Sequence, residues 1–212
     1  MTLAADWVTI SALATAVGTL VLALATFASV RSANRAARVA ERSLLVGLRP
    51  LLVPSRLDDP PQKIAFSEGS YLVAQGGAAV AEADDDAVRL AAALRNVGAG
   101  IAVLHGWHFY PERMTRGEHV PPEEFTRLTR DIFIAPGEIG FWQGAFRDPS
   151  TQAYAEARAA VESNGDWTAE VLYGDAEGGQ RMISRYAMLP REGGGWLASA
   201  GRHWYLDSAD PR

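Results

Sequence analysis

The chain reads as a mainly β protein: an antiparallel β-sandwich with one inserted α-helix, preceded by an N-terminal transmembrane helix and a juxtamembrane helix. Three features predict this. Residues 7–30 carry no charged side chain. From Val88 onward, apolar residues recur with period two between turns rich in Gly and Pro. One run, 150–163, has helix-forming composition between cap residues. The expected organisation is a transmembrane helix over 7–30, a basic juxtamembrane helix over 31–47 and a sandwich domain over 48–212.

The uncharged run from Trp7 to Val30, taken as a helix, is roughly 36 Å long, enough to cross a ~30 Å hydrocarbon core with some tilt. Trp7 stands at its edge, where an interfacial anchor belongs. A cleaved signal peptide would want basic residues ahead of a shorter apolar run. Here none precedes it and Arg31, Arg35, Arg38 and Arg42 follow, so a retained span is the reading adopted. The same asymmetry puts the N-terminus outside and the remainder in the cytoplasm of a bacterial inner (cell) membrane, as a single-pass protein. Ala12, Ala16 and Ala23 form a small-residue stripe with Thr19, and Ala14 with Gly18 adds a small-xxx-small pair. Such faces permit close helix packing, hence a homo-oligomer or a membrane-complex subunit, although an Ala-rich composition produces them unaided. No ionisable residue inside the span supports a proton or ion pathway.

Arg31, Arg35, Arg38 and Arg42 are spaced 4, 3 and 4, so one helical face carries them all. This stripe suits a bilayer with anionic headgroups, at about 1 kcal/mol per Arg near the surface, and serves equally as a stop-transfer cluster. The helix should run to about Gly47 and end before Arg49-Pro50, because the residue before Pro disfavours helix.

Charge and composition narrow the partners. Residues 1–50 hold five Arg against Asp6 and Glu41, a balance of +3, which leaves −8 of the net −5 for the remainder. An acidic body argues against nucleic-acid binding. With no Cys, there is no disulfide framework, no thiolate metal site and no cysteine nucleophile. Lys63 is the only Lys, so Arg-rich and Ala-rich patterns partly reflect compositional bias.

In the body, residues 54–87 predict one or two edge strands, near 48–53 and 71–74, with Asp84–Asp86 as a solvated acidic turn. Val88, Leu90, Ala92 and Leu94 alternate with Arg89, Ala91, Ala93 and Arg95 as in a half-buried strand. A turn at Asn96–Gly100 leads to a strand over 101–110. Further strands are expected at 131–135, 139–146, 167–173, 181–188 and 196–206, with a helix capped by Asp148, opened by Pro149 and closed by Asn164-Gly165. Seven or more short antiparallel strands in about 160 residues point to a sandwich.

Leu94-Arg95-Asn96-Val97-Gly98-Ala99-Gly100-Ile101-Ala102, the later Ala135-Pro136-Gly137-Glu138 and the final Trp-Tyr strands resemble bacterial immunoglobulin-like sandwiches of the CARDB type. The layout with one N-terminal span is similar to that of uncharacterised actinobacterial membrane proteins. The likeness covers roughly residues 88–190 and its motifs mark turns. It implies an immunoglobulin-like binding or scaffolding module and no catalytic residue; the inserted helix and the cytoplasmic side depart from adhesion-type domains.

No catalytic constellation, cofactor motif or metal site emerges. Gly98-x-Gly100-x-x-Val103 lacks the third small residue and the following helix of a dinucleotide fingerprint. His105 and His108, three apart on a strand, should face opposite ways. Glu123-Glu124 and Asp166 with Glu170 read as solvated acids, and the aromatics read as core. The expectation is therefore a non-enzymatic binding, sensor or accessory module. One alternative is an effector that oligomerises through its transmembrane helix on sensing a ligand. The other, with reversed topology, is an extracytoplasmic adhesion-like or glycan-binding domain.

Overall fold

A computed structural model describes residues 3–207, with side chains from Trp7 onward except that of Arg42. The chain forms two compact units, 1–46 and 47–212. The first is a single uninterrupted helix, α1 (Leu3–Gly47), of 45 residues. Ala- and Leu-rich composition without an internal Pro sustains it, and Arg49-Pro50 follows its end.

The second unit is mainly β and antiparallel. Its strands are β1 (Leu52–Pro54), β2 (Gln62–Ala65), β3 (Tyr71–Ala74), β4 (Ala78–Ala83), β5 (Val88–Asn96), β6 (Ala102–Tyr110), β7 (Thr126–Ile134) and β8 (Ile139–Phe146). Helix α2 (Gln152–Glu162) precedes β9 (Trp167–Gly174), β10 (Arg181–Pro190) and β11 (Trp196–Tyr205). Hydrogen-bonded ladders link nine strands into one sheet in the order β8-β5-β4-β11-β10-β9-β6-β7, with β1 pairing the end of β5 beyond β4. The sheet curls on itself. Tyr173 of β9 accepts the Leu52 N–H at 3.2 Å and Tyr186 of β10 donates to the Leu52 carbonyl at 2.9 Å, tying β1 across the interior.

The concave face is an aromatic core. Trp142, Trp167, Tyr173 and Tyr186 are fully buried, with Trp107 and Trp196 nearly so. Edge-on contacts join Trp107 to Trp142 at 5.8 Å and Trp167 to Trp196 at 6.0 Å, a geometry worth about 1 kcal/mol per pair beyond area burial. The indole N–H groups of Trp142 and Trp167 find no hydrogen-bond partner among the described residues, a cost that the surrounding burial outweighs.

The structure differs from the sequence expectation at several points. β5 is buried on both faces, not one. Leu90, Ala92 and Leu94 enter the main core, while the outward Ala91 and Ala93 are small enough for the β2–β3 hairpin to pack on them through Ile64, Phe66 and Leu72. Arg89, on the same outward side, is buried between Glu68 at 2.6 Å and Asp84 at 2.5 Å. Burial pushes the Glu68 carboxyl up, but Arg89 and the hydroxyl and guanidinium groups around it bring it down to about 2. Asp84 is thus an anchor of its turn, also accepting the Asp86 and Ala87 amides, and not merely a solvated acid.

Helix α2 is capped by Thr151, whose hydroxyl accepts the Tyr154 N–H at 3.2 Å. Asp148 is occupied with the Ser150 amide and hydroxyl, so the helix begins three residues later than expected and Pro149 lies outside it. β2 and β4 were not anticipated: the first buries only Ile64 fully, and the second is too Ala-rich to show contrast.

Candidate functional site

The helix is long and apolar enough to cross a membrane, with a window of mean hydropathy 2.1 and none of it buried. Three of its hydroxyls close on their own backbone: Ser11, Thr15 and Thr19 donate to the carbonyls of Val8, Ser11 and Thr15 at 2.8–2.9 Å, so these three would not meet lipid unsatisfied. Arg31, Arg35 and Arg38 share a face with Phe27, Val30 and Asn34, all exposed. The Arg42 side chain lies outside the described residues. Ala12, Ala14, Ala16, Gly18 and Ala23 are exposed, and a Cβ on Gly18 would meet nothing within 4 Å.

The chain that follows the helix is clasped by the Asn96–Gly100 turn. Asn96 is fully buried: its amide nitrogen donates to the carbonyls of Gly100 at 2.7 Å and Ile134 at 2.9 Å, and its oxygen accepts the Leu51 and Gly98 amides. Val97 and Ala99 donate to the carbonyls of Leu51 and Arg49. The glycines permit this approach, since a Cβ on Gly100 would fall 1.7 Å from the Leu48 oxygen. Arg49 is held by Gln180 at 3.0 Å and by the Tyr205 ring at 4.3 Å. The glycine pair that brushes against a dinucleotide fingerprint is therefore a backbone clasp.

On the convex face a groove of about 680 Å³ opens between β6, β7 and the β9–β10 turn. A bulge creates it. Leu104 pairs with Ile132 and Gly106 with Arg127, so β6 spends one residue, His105, against four on β7. That bulge overturns the expected placement of the two histidines. His105 lies over Gly174 and His108 pairs in register with Glu170; Gly174 and Glu170 share the outward face of β9, so both imidazoles are on the convex side. Partial desolvation, then the Arg181 charge, holds His105 below its usual value against the pull of Asp131 and Asp175. Arg127 is exposed along the groove and has no ion-pair partner among the described residues, whereas Arg181 is paired with Asp207 at 2.8 Å.

Beside the groove, residues 111–125 lie as a strap across β9–β11. Beneath it Glu170 is fully buried, not solvated as expected, and pairs with Arg185 at 2.5 Å. Arg185 also donates to the carbonyls of Arg116 and Glu118, while its guanidinium sits 4.8 Å from the Trp204 ring centre. Tyr110 donates to Glu170 at 3.4 Å; burial, then the Glu170 charge, pushes its phenol up to about 12. Phe125, Leu172, Ile183 and Trp204 complete the apolar contact under the strap.

A third constellation lies on the concave side: Tyr173, Ser184 and His203 form a hydrogen-bonded chain, with Ser184–His203 at 2.6 Å and Tyr173–Ser184 at 2.9 Å. Ser184 is fully buried, so its hydroxyl serves the core rather than an incoming substrate. The β9–β10 and β10–β11 registers together bring these residues into contact, which is why the sequence did not reveal them. Among the described residues no three of His, Asp and Glu converge as metal ligands. Compared with protein-family models, curated proteins and solved structures, the chain matches none.

Proposed function

We propose that this chain is a single-pass protein of a bacterial inner membrane whose immunoglobulin-like body acts in the cytoplasm by binding, as a sensor, adaptor or accessory subunit without catalysis. One observation carries the reading: an uncharged helix of spanning length is followed at once by Arg31, Arg35 and Arg38 on one exposed face. In this reading the basic stripe that runs from Arg31 to Arg42 meets anionic headgroups at its membrane end. The resemblance of the turn motifs to CARDB-type sandwiches supports a binding or scaffolding role. The bulge groove, with Arg127 on its rim and without an ion-pair partner among the described residues, is the surface on which a partner would act.

Full-length protein extracted in mild detergent should recover a specific partner, or itself, in a pull-down, with recovery at least tenfold lower for Arg127→Glu. No partner above background would overturn the binding role; equal recovery by the variant would move it off the groove.

A second reading is favoured by the continuity of α1. The stripe at 12, 16, 19 and 23 continues in the same 4-3 phase through 26, 30, 33, 37, 40 and 44 without a break in the helix. An effector that oligomerises through that face is the corresponding function. A glycan-binding or adhesion-like role belongs to the reversed topology.

A further inference from the structure

The four arginines cannot all meet the same lipid layer. Because α1 runs without a break from Leu3 to Gly47, each residue beyond Val30 climbs away from the hydrocarbon by about 1.5 Å. Arg31 then sits at the boundary, Arg35 ~7.5 Å past it, Arg38 ~12 Å and Arg42 ~18 Å. A tilt that fits the ~36 Å apolar run into a ~30 Å core shortens these heights by roughly a sixth. The headgroup layer is only ~5–7 Å thick on each side, and physiological salt screens exposed charges beyond ~8 Å.

We propose that only the first half of the basic stripe binds anionic lipid. Arg31 and Arg35 lie within the headgroup layer, Arg38 stands at its outer edge, and Arg42 with the last turns of α1 forms a stalk in water. The occupant is an anionic phospholipid surface, chosen by charge complementarity: Phe27 and Val30 continue the face of Arg31, Arg35 and Arg38 toward the hydrocarbon, so the apolar-to-basic transition occurs along one line of the helix. Snorkelling extends the reach of Arg38 but not enough to recover Arg42. The inference rests on the spanning reading of α1, and its test separates the two.

The native chain has no Cys, so a single introduced thiol carries a spin label without background. Full-length Ser32→Cys, Ala36→Cys, Val39→Cys and Ser43→Cys variants keep every Arg and sample the exposed stalk, while Leu13→Cys and Leu20→Cys sample the span. In bilayers with about a third anionic lipid, collision with oxygen and with a water-soluble nickel chelate reports depth. Labels at 32 and 36 should read as headgroup depth, the label at 39 as intermediate and the label at 43 as fully aqueous. A label at 43 as deep as that at 32 would overturn the proposal, because the helix would then bend along the surface. Aqueous labels at 13 and 20 would instead overturn the spanning reading itself. In the same bilayers, enrichment of a fluorescent anionic lipid should fall about fivefold for each of Arg31→Ala and Arg35→Ala, and by less than twofold for Arg42→Ala. Equal losses at all four positions would also contradict the division.

Discussion

Replacing Gly100 with alanine should unfold the body at temperatures that the native protein survives. The new methyl carbon would be placed 1.7 Å from the Leu48 oxygen, and its neighbour is backbone, which cannot swing aside as a side chain can. Either the turn opens, and the buried Asn96 loses the Gly98 amide and the Gly100 carbonyl, or residues 48–51 leave their place and take the Leu51 amide from it. Both routes leave buried amides and carbonyls unpaired, so the loss should be on the order of 4 kcal/mol, or roughly a 10 °C fall in the melting temperature. Intrinsic tryptophan fluorescence of the detergent-solubilised chain reads this directly, because Trp107, Trp142, Trp167 and Trp196 all line the core. Gly47→Ala is the matched control. It meets nothing within 4 Å and should shift the melt by no more than about 1–2 °C. A Gly100→Ala melt equal to that control would mean that the clasp does not hold the domain entrance.

Glu170→Ala should be nearly as damaging, by a different route. The substitution strands the Arg185 guanidinium, only 4 % exposed, beneath the strap without its carboxylate. Removing one partner of a buried pair typically costs about 3–5 kcal/mol, whereas replacing both by apolar groups of similar size costs far less. Glu170→Leu combined with Arg185→Met should therefore recover most of the thermal stability lost by Glu170→Ala. The strap itself should not recover, since the Val120 amide loses Glu170 as its acceptor in both variants, and in the double variant the carbonyls of Arg116 and Glu118 also lose Arg185 as their donor. Limited trypsin digestion at Arg113 and Arg116 separates the two effects, with faster cleavage expected in the single and the double variant. A double variant no more stable than Glu170→Ala would show that the pair contributes more than mutual neutralisation.

What the sequence disclosed follows from the strength of each local signal. A charge-free run of 24 residues has few soluble explanations, so α1 was legible, as were β6 and β8–β11 with their glycine-bearing turns. β2 and β4 were hidden because Ile64 is the only fully buried side chain of β2 and alanine gives β4 no polar contrast. Ala91 and Ala93 looked like the solvent side of β5, yet small size is what lets the hairpin cover them. Face assignments failed where the register slipped: His105 of β6 has no residue opposite it on β9, and that one extra residue turns a three-residue offset into a shared face. Glu170 and Arg185 are 15 positions apart in sequence but opposite each other in register, and nothing local distinguishes such a pair from two solvated charges. The curl of the sheet, set by Tyr173 and Tyr186 reaching Leu52, is likewise a tertiary fact.

As proposed, α1 would anchor the body on the cytoplasmic side of a membrane. Fusing a fluorescent protein and, separately, alkaline phosphatase to the C-terminus tests it in living cells, since the first matures in the cytoplasm and the second is active only outside it. The proposed orientation, with the Arg cluster after Val30 on the inner side, predicts fluorescence without phosphatase activity. Phosphatase activity without fluorescence would contradict it and bring the extracytoplasmic, glycan-binding reading of the body to the front.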